Sequence, residues 1–166
     1  MKAVRDFTGS STALPDSLGI ASFGPVCLDK TSPAYGNITT TPKIAWQNFP
    51  VMRTFSEGFG FNTDERRHRV FFDTDVNIPA MFEYIKAKNA NDPNIKESLC
   101  YVTVGTGVGI GLVINGKCVH GMMHPEGGHA RVPINPLEKT MYNNYGGSCP
   151  FHGTCLEGLV NNVSIM

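Results

Sequence analysis

The chain lacks net charge: its 14 Lys and Arg are matched by 14 Asp and Glu among 166 residues. That balance excludes a polybasic arm or an acidic tail, and with it a strong electrostatic footprint for nucleic acid or an anionic membrane. No apolar run approaches the roughly 18 residues needed to cross a bilayer, and Met1-Lys2-Ala3-Val4-Arg5-Asp6 has no signal-peptide core. Repeats, coiled-coil heptads and low-complexity tracts are missing as well. Cysteines are few and odd in number (Cys27, Cys100, Cys118, Cys149 and Cys155), which argues against a disulfide scaffold and for reduced thiols or a metal site. These absences describe a soluble cytoplasmic protein with neither a nucleic-acid nor a membrane partner.

What is present is a globular composition, 41% hydrophobic, with 18 Gly and 11 Pro concentrated in turns. Many short elements joined by tight loops are expected. A polar stretch over Met1 to Ser17 precedes a strand at Leu18–Phe23, which stops at the Gly24-Pro25 turn dipeptide. The long segment Asp29 to Phe49 reads as an ordered loop near a site, with Thr39-Thr40-Thr41-Pro42 and Trp46-Gln47-Asn48 as its distinctive parts. The basic cluster Glu65-Arg66-Arg67-His68-Arg69 reads as a solvated turn rather than a phosphate contact. A short strand, Val70–Phe72, leads through Asp73-Thr74-Asp75 to a helix over Val76 to Lys88, whose apolar face is Ala80, Met81, Tyr84 and Ile85. From Ser98 the pattern changes to strands: Leu99–Val104, Ile110–Ile114 and Lys117–His120 form an antiparallel meander with an Asn115-Gly116 hairpin. The change places a lobe boundary near residue 97, with lobes 1–97 and 98–166.

Three features carry chemistry. His129, Cys149, His152 and Cys155 stand as H-x19-C-x2-H-x2-C, and two imidazoles with two thiolates suit a closed tetrahedral structural zinc site. The competing reading is two unrelated free cysteines near polar histidines. Cys27, Cys100 and Cys118 sit in apolar strand contexts and read as buried fillers. Gly105-Thr106-Gly107-Val108-Gly109 joins two strands, so it is not the dinucleotide fingerprint. Its backbone N–H groups could still cradle a phosphate, with a tight bulged turn as the other reading. Asp75 falls at a helix start, where it serves as an N-cap or, ionised, accepts a proton from a substrate hydroxyl during phosphoryl transfer. Glu126 and Glu157 flank the candidate ligands His129 and Cys155. They read either as surface acids or as acceptors for the hydroxyls of a polyol.

Taken together, these stretches resemble the fructokinases of the ROK family of sugar kinases. The resemblance rests on Ile20-Ala21-Ser22-Phe23-Gly24-Pro25-Val26, Ile38-Thr39-Thr40-Thr41-Pro42-Lys43 with Trp46-Gln47-Asn48-Phe49, and Phe72-Asp73-Thr74-Asp75-Val76-Asn77. It continues through Thr103 to Gly109, His124-Pro125-Glu126-Gly127-Gly128-His129, and Cys149-Pro150-Phe151-His152-Gly153-Thr154-Cys155-Leu156-Glu157-Gly158. It implies an α/β fold, a partial actin-like (ribonuclease-H-like) one, with two incomplete lobes around a cleft. It also implies transfer of the ATP γ-phosphate to a hexose, fructose favoured, with Asp75 as general base and Asn77 close to the sugar. Glu126, His129 and Glu157 would hold other hydroxyls. His129, Cys149, His152 and Cys155 would bind structural Zn²⁺, and Gly105, Thr106, Gly107 and Gly109 would face the phosphates of ATP with Mg²⁺. Family members commonly pair, so a homodimer is the implied assembly.

The sequence departs from the family at both ends. No Asp-x-Gly-Gly-Thr-like phosphate loop occurs in Met1 to Asp16, and Met166 follows shortly after Glu157-Gly158-Leu159, where the family continues. The expectation is therefore the middle of a kinase, with an exposed sheet edge, zinc-dependent folding and little transfer activity of its own. The alternative is a non-catalytic, zinc-stabilised sugar-binding or interaction remnant of such a kinase. A transcriptional repressor of the same family would need a helix-turn-helix that Met1 to Ser17 does not supply.

Overall fold

Leu18–Ser22 (β1) and Val70–Thr74 (β2) run parallel, with Leu18 opposite Val70 and Ser22 opposite Thr74, in a computed structural model that describes residues 15–95, 97–120, 124–137 and 145–165. Most of the polar stretch Met1 to Ser17 therefore lies outside the described residues. The chain divides into two compact units, Met1–Asp75 with His120–His124 and Val76–Val119 with Pro125–Met166.

In the first unit, β1 turns Ile20 inward and β2 turns Phe72 inward, as the two-residue period of a strand requires. Both join Val26, Ile38 and Val51 in one buried cluster, with Phe23, Tyr35, Phe49 and Met52 packed around it. Val51–Gly58 (α1) supplies Val51. Its Ser56 turns its hydroxyl back to the Met52 carbonyl at 2.7 Å. The segment from Asp29 to Phe49 is an ordered loop, as expected: Ile38 N–H donates to Phe49 O, Gln47 Nε2 to Thr41 O, and the Trp46 ring meets Phe23 and Phe49 edge-on. Arg66 and Arg69 are not simply solvated. They donate to the carbonyls of Pro15 and Asp16, and the Arg66 guanidinium lies over the Phe61 ring at 4.2 Å.

In the second unit, Asn77–Asn89 (α2) packs on an antiparallel meander of Ser98–Val104 (β3), Val108–Ile114 (β4) and Lys117–Cys118 (β5). The Asn115-Gly116 hairpin forms as expected, with both residues at positive φ (51° and 73°). Ala80, Tyr84 and Val113 make the buried centre, with Met81, Leu99 and Tyr101 beside them. Gly111 lets α2 approach β4, since a Cβ there would lie 2.1 Å from the Val76 carbonyl oxygen. Two short helices, Leu156–Val160 (α3) and Asn162–Ile165 (α4), follow.

The compact units divide between Asp75 and Val76, where the helix packs on the strands that follow it, whereas the expected lobe boundary lies near residue 97. Other expectations are corrected. Asp75 is not the N-cap of α2. Its N–H donates to Ser22 O at 2.9 Å and extends the parallel ladder, leaving Val76 in the cap position with no side-chain hydrogen bond. Ile85 is exposed, and Cys100 is exposed rather than buried, because β3 alternates and carries Cys100, Val102 and Val104 on its outer face.

Candidate active site and metal cluster

The tight stretch Cys149–Cys155 is built by backbone exchange: Gly153 N–H donates to Cys149 O at 3.0 Å and Cys149 N–H to Gly153 O at 3.3 Å. Gly153 holds φ at +60°, a conformation that glycine adopts without strain. His152 N–H points at Cys149 Sγ at 3.4 Å. His129 arrives from a remote segment, a 3₁₀ turn over Gly127–His129. That segment is zipped to the knuckle by a bridge between Arg131 and Cys155 and by Leu156 N–H donating to Ala130 O at 2.9 Å.

The result is four donor atoms within 4.8 Å of one another: the expected set of His129, Cys149, His152 and Cys155. The His129 Nδ1 atom lies 3.6 Å from Cys149 Sγ, 3.7 Å from Cys155 Sγ and 3.4 Å from His152 Nδ1, and His152 Nδ1 lies 3.8 Å from Cys149 Sγ. Tetrahedral bonds of about 2.3 Å to sulfur and about 2.0–2.1 Å to nitrogen set sulfur–nitrogen edges near ~3.6 Å and nitrogen–nitrogen edges near ~3.3 Å. The donor spacing therefore fits four-coordination around one ion. Burial pushes the Cys155 thiol up; the Gly158 N–H opposes this, and neighbouring Cys149 and Glu157 add to it. An ion that demands a thiolate offsets that cost.

Two further candidates of the second unit, Glu126 and Glu157, adjoin this cluster. Glu126, at φ +49°, places a carboxylate oxygen 4.0 Å from His129 Nε2, so the two ring nitrogens of His129 have separate duties. Glu157, in the first turn of α3, is drawn toward the glycine hairpin: Val108 N–H donates to its Oε2 at 3.0 Å. Gly105 N–H donates to Gly107 O at 2.9 Å and Asn162 N–H to Gly105 O at 2.8 Å, which ties the hairpin to the segment after α3. Gly105, Thr106 and Gly107 do form the turn between two strands, and Gly109 lies in β4. Asn77 is fully buried in the first turn of α2, and its carbonyl receives the Cys118 thiol at 3.6 Å.

Asp75 belongs to the first unit, exposed at the end of β2. Just before it, Asp73 uses both carboxylate oxygens, Oδ1 for Thr74 N–H at 2.7 Å and Oδ2 with His120 Nε2 at 2.8 Å. His124 Nε2 accepts Val26 N–H at 3.4 Å. Sequence reasoning did not single out Asp73, His120 or the Val108 amide. Their partners lie about a quarter of the chain away, with no local pattern to reveal them.

The family model described as "ROK family" matches residues 1–166. The fructokinase of Zymomonas mobilis is 43% identical over 150 residues, which cover 90% of this chain and 44% of that protein. The fructokinase of Pediococcus pentosaceus is 35% identical over 165 residues, covering 99% of this chain and 51% of that protein. The chain thus spans about half the length of the curated relatives it matches. Among solved structures, the ROK hexokinase of Thermus thermophilus superposes with a TM-score of 0.58 at 26% identity, over 90% of this chain and 42% of that one. The glucokinase of Streptomyces griseus, solved with glucose and AMPPNP, superposes with a TM-score of 0.64 at 19% identity. The fold is thus the actin-like, ribonuclease-H-like α/β architecture of ROK sugar kinases. On the match across its whole length, the chain belongs to the ROK family.

Proposed function

We propose that the protein serves ATP-dependent phosphorylation of a hexose, fructose in preference, with a zinc ion as its structural metal. The observation that carries this reading is the four-donor cluster with Glu126 and Glu157 beside it, in a chain 43% identical to a fructokinase. His129 would hold such an ion through Nδ1, which would leave its Nε2 edge and the carboxylate of Glu126 to meet hexose hydroxyls. Glu157 and Asn77 are the other sugar-binding residues. Asp75, exposed and anchored through its own N–H to Ser22, acts as the general base that removes the proton of the attacking hydroxyl. Phosphoryl transfer asks the protein mainly for positioning and charge stabilisation, so the base matters by aiming the hydroxyl as much as by accepting its proton. The glycine hairpin from Gly105 to Gly109, Thr106 included, offers backbone N–H groups to the phosphates of ATP, whose charge Mg²⁺ offsets.

The test is fructose binding to the zinc-loaded chain by calorimetry, followed by coupled detection of ADP. Fructose binding with fructose-dependent ADP release supports the full reading. Fructose binding without ADP release leaves the second reading, a non-catalytic hexose-binding module, and no fructose binding overturns both. Cytoplasmic location and homodimerisation belong to the same proposal; size-exclusion chromatography with light scattering checks the latter.

A further inference from the structure

The glycine hairpin already holds an anion of its own chain. Glu157 Oε2 accepts Val108 N–H at 3.0 Å, and the same oxygen packs on Gly107 so closely that a Cβ there would lie 2.6 Å from it. Two independent features, a hydrogen bond and an absent side chain, thus seat this carboxylate on the turn that is expected to receive phosphate. A second anion cannot share that amide without strong repulsion, because a phosphate oxygen and a carboxylate a few ångströms apart are poorly screened at a half-buried site.

We propose that Glu157 orders ligand binding: its carboxylate occupies the hairpin until the hydroxyls of a hexose draw it away, and only then does Val108 N–H receive a phosphate. The inference rests on the kinase reading above, and it adds a sequence of events and a residue that enforces it. A neutral polyol suits the first step. Its hydroxyls donate to Glu157 and replace the bond lost from Val108, while bringing no charge. A polyphosphate brings charge and no donors, so it cannot relieve the carboxylate by itself. The two ligands are then linked, and each tightens the other by the same factor. The chain would hold a nucleotide weakly when no acceptor sugar is present, which limits transfer of the phosphoryl group to water.

The experiment measures tripolyphosphate binding to the zinc-loaded full chain by calorimetry, with and without saturating fructose, for the wild type, Glu157→Gln and Glu157→Ala. In the wild type fructose tightens tripolyphosphate by about fivefold or more. Glu157→Gln keeps the shape and an accepting oxygen but loses the charge, and it reaches the tightened affinity without fructose. Hydrogen exchange at the Val108 amide gives a readout free of polyphosphate: exchange is faster in Glu157→Ala and in wild type with fructose than in wild type alone. Equal tripolyphosphate affinity in wild type and Glu157→Gln overturns the ordering proposal and leaves the kinase reading standing. No tripolyphosphate binding to either protein overturns both.

Discussion

The Nδ1 atoms of His129 and His152 face each other at 3.4 Å, and each also faces the sulfur of Cys149. Two imidazole nitrogens and two thiols pointing at one centre gain little from hydrogen bonds alone, since each contact is long. A cation turns that convergence into stabilisation.

Removing the ion or one thiolate should therefore undo the knuckle. We expect about one zinc per chain by elemental analysis and loss of most of it in Cys149→Ser. Apparent zinc affinities of structural sites reach about 10–16 kcal/mol, so chelation should lower the thermal midpoint by many degrees. Cys100→Ser, at an exposed strand position, should keep both metal and midpoint. A midpoint indifferent to chelator would show that the donors do not hold a structural ion.

Backbone crowding around the knuckle gives a second expectation. A Cβ at Gly158 would lie 1.7 Å from the Gly153 carbonyl oxygen, a backbone atom that cannot swing away. Gly158→Ala should cost about 1–3 kcal/mol in denaturant titrations and reduce the zinc retained on dialysis. Wild-type stability in that variant would mean the turn is looser than its geometry.

The first unit has its own dependence on pH. Burial, then the charge of Asp73, pushes the Tyr35 hydroxyl above its ordinary value of 10.0, and the ring packs edge-on against Phe72. A raised value means that the folded state favours the protonated phenol. Its contribution is full below about pH 10 and is lost as pH rises through the raised value. Tyr35→Phe should therefore lose less stability than wild type between pH 8 and pH 11, as urea midpoints would record. A wild-type advantage unchanged across that range would count against it.

Asp75 separates chemistry from folding. It is exposed and contributes only a backbone N–H to the ladder, so Asp75→Asn should unfold like wild type to within about 0.5 kcal/mol. Where fructose drives ADP release from the wild-type chain, Asp75→Asn should lower that rate by roughly 10²–10⁴-fold. Retained turnover at the wild-type rate would remove Asp75 as the base.

Local chemistry made part of the molecule legible in advance. Asn115-Gly116 announces its hairpin because both residues tolerate positive φ, and the two-residue gaps of Cys149-x-x-His152-x-x-Cys155 announce a knuckle. The parallel pairing of Leu18 with Val70 has no such signature, since its partners are remote and nothing in either segment encodes the register. Asp75 misled for a physical reason. A carboxylate before a helix suits a cap, yet a ladder hydrogen bond to Ser22 claimed its backbone first. The seating of Glu157 on Val108 was equally out of reach, because it joins residues 49 positions apart.

The knuckle bears on the order of events at the ribosome. Synthesis runs from the amino end, so His129 leaves the exit tunnel before Cys149, His152 and Cys155 do. Those three, once made, sit within seven residues and can seize an ion with little entropic penalty. His129 must then be reached across a twenty-residue span whose closure the ion drives. With the proposed zinc in place, metal supply during translation would become a timing control on the maturation of the second unit.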